Sequence, residues 1–99
     1  MNSVISKDNS LLAVEIALPA TLNSKTRVLV KEVAEALALK LLKAEQKYGF
    51  TDGWAEEGWD NECREKLLAH LYKGDPLDVI AYSSFLWYHG QPTVKLETN

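Results

Sequence analysis

Between residues 26 and 48, apolar side chains recur at steps of three and four. Val30, Val33, Leu37, Leu41, Ala44 and Tyr48 share one helical face. The spacing predicts a first helix from Ser24, read as its N-cap, to about Tyr48. Gly49 follows as a left-handed stop, and Lys40, Lys43 and Lys47 lie toward the negative end of the helix dipole. A second helix is predicted over residues 59–72, with Trp59, Cys63, Leu67, His70 and Leu71 on one face. Asp60 and Arg64, then Glu62 and Lys66, form acid-to-base pairs four residues apart on the other face. Gly74 ends that helix, and Asp75-Pro76 starts the next. Asp75 is a good N-cap, and Pro76 suits the first turn, where its missing N–H is no loss. The third helix is predicted to reach about His89, with Gly90 as its stop and Pro92 blocking continuation.

This third helix has apolar or aromatic residues on every turn, from Leu77 and Val79 through Tyr82 and Phe85 to Tyr88. Such a helix is normally covered on several sides. Two other helices can cover only part of it, so any uncovered strip is a candidate association surface. Upstream, Val14, Ile16 and Leu18 alternate with Ala13, Glu15 and Ala17, the period of a strand. No second strand is evident to pair with it. Residues 26–30 are the sole candidate, and they fit the first helix better. Short connections complete the expectation: an all-α, compact three-helix bundle with a short N-terminal arm whose pattern suits an extended chain. Residues 1–23 form the arm, 24–90 the helical domain and 91–99 a polar tail.

Ninety-nine residues suit one domain. The net charge of −3 is unevenly spread, with +2 over residues 1–50 and −5 over residues 51–99. Lysines on the first helix could touch a few phosphates, but an acidic chain with two arginines argues against nucleic acid. A single cysteine, Cys63, permits no intrachain disulfide and suits a reducing cytoplasm. The first ten residues lack a basic-then-apolar signal pattern, and the apolar stretch from Leu11 to Ala20 is too short to span a bilayer. These features set the expectation of a cytoplasmic protein without a membrane segment.

Candidate chemistry is sparse. Cys63 and His70 share a helical face but lie roughly 10 Å apart by helix rise, too far to ligate one zinc. His89 falls where a helix C-terminus favours a cation. Two acidic pairs at i,i+3 stand out: Glu32 with Glu35, and Asp75 with Asp78. Each pair projects from one side of a helix, and together they could hold Mg²⁺ and a nucleotide phosphate. That arrangement resembles the all-α nucleotide pyrophosphatases of the MazG type, which carry E-x-x-E and E-x-x-D on two helices. The resemblance implies a Mg²⁺-dependent pyrophosphohydrolase using Glu32, Glu35, Asp75 and Asp78. The chain departs from that pattern at Asp75, which stands in place of a Glu and also serves as a helix cap.

Between the first two helices, residues 50–58 read as a loop turned at Asp52-Gly53. Phe50 and Trp54, with Trp59 just beyond, are large apolar side chains for such a place. They either lid the core or bind a partner. A combined pattern runs through this region. It comprises Tyr48-Gly49-Phe50-x-x-Gly53-Trp54, then Trp59-x-x-Glu62-Cys63-Arg64-x-x-Leu67-x-x-His70, then Lys73-Gly74-Asp75-Pro76-x-Asp78-Val79-x-x-Tyr82-x-x-Phe85-x-Trp87-x-His89-Gly90. It resembles a group of small proteins encoded by tailed phages and prophages, over roughly the C-terminal two-thirds of the chain. The resemblance implies a cytoplasmic accessory protein and brings no catalytic residues with it. The expectation is therefore a non-catalytic protein–protein interaction module that contacts its partner through Phe50, Trp54 and Trp59. Self-association would bury the surplus apolar surface of the arm and the third helix.

Overall fold

The computed structural model describes residues 11–49 and 52–95. Phe50, the first ten residues and the last four of the tail lie outside the described residues. Three α-helices make up the bundle: α1 (Ser24–Tyr48), α2 (Asp60–Lys73) and α3 (Pro76–Tyr88). A 3₁₀ turn, Gly53–Ala55, lies between α1 and α2. No strand occurs among the described residues.

The helix boundaries follow local chemistry. Asn23, rather than Ser24, caps α1: its side-chain oxygen accepts from the Lys25 N–H at 2.9 Å. Ser24 is already the first helical residue. Gly49 and Gly74 take φ of 87° and 88°, the left-handed geometry that lets each amide turn back onto the last carbonyls. Trp59 takes the N-cap position of α2 without a side-chain cap, so α2 begins one residue later than its apolar pattern suggests. Asp75 accepts from the Leu77 N–H at 3.0 Å and starts α3 directly behind Gly74. At the far end, Gly90 N–H donates to the Trp87 carbonyl and Gln91 N–H to the Leu86 carbonyl, closing α3 with a Schellman motif.

α3 is the shared centre. It packs against α2 most closely and against α1 more lightly, while no Cα of α1 comes within 8 Å of one in α2. The buried core accordingly lies between α2 and α3. Cys63, Leu67 and Leu86 form it, with Trp59, Val79, Tyr82 and Phe85 packed around them. Leu71, grouped with this face by its spacing, is instead exposed. α1 contributes no fully buried residue, and its apolar face is half-buried at best.

The arm leaves the N-terminal end of α1 through a turn. Leu22 N–H donates to the Pro19 carbonyl, and the Arg27 side chain donates to the Leu22 carbonyl at 2.9 Å, holding the turn against the helix. Beyond it, residues 11–18 have no regular secondary structure and are exposed throughout.

Candidate functional site: an apolar groove floored by the third helix

Because α1 and α2 both touch α3 but not each other, a groove of about 1040 Å³ runs between them. Its floor is a strip of α3 that the rest of the fold covers only in part, with Ile80, Ser83 and Ser84 half-buried and Trp87 exposed. Ile80, Ser83, Ser84 and Trp87 form that strip at steps of three and four. Leu41 and Ala44 of α1 make one wall, and the two indoles Trp54 and Trp59 close the other side. Ser84 satisfies its own hydroxyl by donating to the Ile80 carbonyl at 2.8 Å, leaving the floor largely apolar. Trp87 is 82% exposed at the groove's edge. Its spacing on an all-apolar helix gave no sign of that exposure. Only the placement of the other two helices decides which side of α3 stays open.

Trp54 and Trp59 are both anchored in the fold and turned to the groove. Trp54 stacks on Phe85 at 5.6 Å between centroids and meets Tyr88 edge-on at 5.0 Å. Trp59 packs on Phe85 from the other side at 5.8 Å. The Trp54 carbonyl accepts twice, from the Trp59 indole N–H at 3.1 Å and from His89 Nε2 at 2.6 Å. His89, expected only as a favourable charge at a helix end, therefore pins the loop to the end of α3. Both tryptophans pack on Phe85 at the edge of the core, and both line the groove.

Of the four carboxylates of the sequence pattern, Asp75 and Asp78 share one ammonium, Glu35 has a different partner on α1, and Glu32 makes no ion pair among the described residues. Asp78 binds Lys40 Nζ through Oδ1 at 2.5 Å, and His70 Nδ1 lies 3.3 Å from its other oxygen. The Lys40 ammonium holds the Asp78 carboxyl below its ordinary range, and Asp78 in turn raises the Lys40 pKa. Asp75 caps α3 and stands 3.8 Å from the same ammonium. Glu35 pairs with Lys31 at 3.0 Å on the exposed side of α1. Among the described residues, no group of three or more His, Cys, Asp or Glu is arranged to hold a metal ion.

His70 also stacks on Tyr82 at 5.1 Å, and burial pushes the Tyr82 hydroxyl pKa up. Cys63 is 1% exposed, and burial drives its thiol pKa to about 11. Its Sγ donates weakly to the Tyr82 carbonyl at 3.5 Å. A thiol in that state is a packing residue, not a nucleophile. No described helix is long and apolar enough to cross a membrane.

No family model, curated protein or solved structure matches the chain.

Proposed function

We propose that this chain is a protein–protein interaction module, non-catalytic, whose docking surface is the groove floored by α3. The observation that supports it most strongly is the partly open strip from Ile80 to Trp87, in which Trp87 is 82% exposed. A tryptophan in water forfeits a large burial energy, and Trp is the residue that most often dominates interface energetics. The groove is open and apolar, which suits apolar side chains of a polypeptide better than a small polar substrate. The phage-like sequence pattern adds a setting: a cytoplasmic accessory protein that works by binding.

The test is a panel of apolar peptides titrated against the chain and followed by tryptophan fluorescence. Saturable binding that disappears in Ile80→Glu, with helical circular dichroism unchanged, is the expected result. Absence of saturable binding across the panel, or equal binding by Ile80→Glu, removes the docking role.

A further inference from the structure

Resting on that reading of the groove, we infer that its partner is a basic amphipathic peptide segment, whose apolar side chains lie on the α3 floor while an adjoining arginine or lysine reaches carboxylates at the groove's rim. Two hollows meet here. Beside the apolar groove lies a polar one of about 520 Å³, lined by Glu56, Glu57 and Asp60. Trp59 and Tyr88 line both, so the two adjoin across those side chains. A segment apolar at one end and charged at the other matches that order.

The lining fixes the sign of the charge. Glu45 of α1 and Glu62 of α2 stand in the wall of the apolar groove. Among the described residues, no lysine or arginine lines either hollow. Of the five acids only Asp60 has a cation, the Arg64 guanidinium at 2.9 Å. Glu45, Glu56, Glu57 and Glu62 make no ion pair among the described residues, not even Glu62 with Lys66 four residues on. His89, in the polar hollow, already has its Nε2 on the Trp54 carbonyl.

Exposed acids alone would be a solvated face. Here they edge a groove walled by indoles, and Glu45 is half-buried on its apolar wall. A carboxylate so placed gives up water without gaining a counter-charge, and an incoming guanidinium restores what it lost. Trp59 stands at the junction of the two hollows, and among aromatic side chains an indole is the best host for a cation. Arginine joins Trp and Tyr among the side chains that dominate interfaces, so it supplies the partner's half of this surface. Other occupants fit less well. An acidic rim repels phosphate, which disfavours nucleic acid and anionic lipid. The groove of about 1040 Å³, joined to a second hollow, exceeds the roughly 300–1,000 Å³ of ordinary small-molecule sites.

The experiment titrates the full chain, followed by tryptophan fluorescence, with three synthetic peptides of equal length. All share one half rich in leucine and phenylalanine; the other half carries arginine, its uncharged isostere citrulline, or glutamate. The arginine peptide is expected to bind at least tenfold more tightly than the citrulline peptide, with the glutamate peptide weaker still. That advantage should shrink as salt is raised. The variant Glu45→Gln/Glu56→Gln/Glu57→Gln/Glu62→Gln should bind the arginine and citrulline peptides alike, with helical circular dichroism unchanged. Should it misfold, the exposed pair Glu56→Gln/Glu57→Gln is expected at least to halve the arginine advantage.

No arginine advantage in the wild type, or one that survives the glutamine substitutions, overturns the basic partner. Equal binding of the arginine and citrulline peptides, lost for both in Ile80→Glu, keeps the groove as a docking surface and rejects only its preference for charge. No saturable binding by any of the three peptides rejects both levels of the account. Arginine-dependent binding retained in Ile80→Glu assigns the contact to the acidic surface without the groove and overturns the inference. So does a dimer seen by sedimentation equilibrium and lost in Ile80→Glu, which gives the groove to a second copy of the chain. Displacement of the arginine peptide by micromolar benzyltrimethylammonium gives it to a small organic cation instead.

Discussion

Lys40 Nζ lies 2.5 Å from Asp78 Oδ1, and this contact fastens α1 to α3 in a molecule whose first helix has no fully buried residue. His70 brings α2 to the same carboxylate. One side chain near the start of α3 therefore meets all three helices. Both partners of the Lys40–Asp78 pair are partly shielded, with side chains 29% and 21% exposed, so the pair is less screened than a surface pair.

Asp78→Asn should destabilise the fold by about 1–2 kcal/mol, measured by urea unfolding at neutral pH. The pH dependence carries a definite sign. The folded Asp78 carboxyl lies below its ordinary value of 3.8, so its contribution is full above that value and is lost as pH falls through the lower folded pKa. Lys40 lies above its ordinary 10.5, so its contribution is full below that value and is lost as pH rises through the higher folded pKa. In Asp78→Asn both slopes should flatten. Unfolding curves with unchanged slopes at both ends would show that the pair does not hold the helices.

Two of the three groove tryptophans, Trp54 and Trp87, should separate by substitution. Trp54→Ala removes the stack on Phe85 and the edge contact to Tyr88, and is expected to cost about 2–3 kcal/mol of stability. Trp87→Ala, at an exposed position, should change stability by no more than about 0.5 kcal/mol yet weaken docking at least tenfold. Thermal melts alongside peptide titration decide the matter. A Trp87→Ala chain that melts early and docks normally would reverse these assignments.

Cys63 should resist thiol reagents in the folded state, because only the thiolate reacts and burial holds the thiol pKa near 11. In denaturant it should react at the rate of an ordinary cysteine. Rapid labelling of native protein at neutral pH would contradict the packing described for α2 and α3.

Much of the fold was legible because its signals are local. Gly49 and Gly74 stop two helices through their backbone freedom, and Asp75-Pro76 starts a third within two residues. The apolar face of α1 was legible as a face, but not the fact that it would stay half-covered. Periodicity reports that a side is apolar and says nothing of what comes to rest on it. The exposed Trp87 was hidden for that reason, since α3 is apolar all round. Long-range polar partners were also invisible. Arg64, read as a mate for Asp60 alone, reaches Gln91 at 2.8 Å and the Pro92 carbonyl at 3.0 Å, tying down the first residues of the tail. Nothing in the spacing of Lys40 and Asp78, on different helices, marked them as a pair.

The acidic spacing that resembles the pyrophosphatases makes its own forecast. A panel of nucleoside triphosphates incubated with Mg²⁺ should release no pyrophosphate above background if the chain acts by docking alone. Turnover that is lost in Asp78→Asn, with folding intact, would replace the docking account by a catalytic one.

The most direct measurement places a photo-reactive side chain at Ser83, on the groove floor, and maps the cross-linked peptides by mass spectrometry. The prediction is an adduct with an apolar peptide supplied in trans, lost in the Ile80→Glu chain. Cross-links confined to Leu41, Ala44 or neighbouring wall residues of the same chain would show a groove that closes on itself, and would contradict its role as a docking surface.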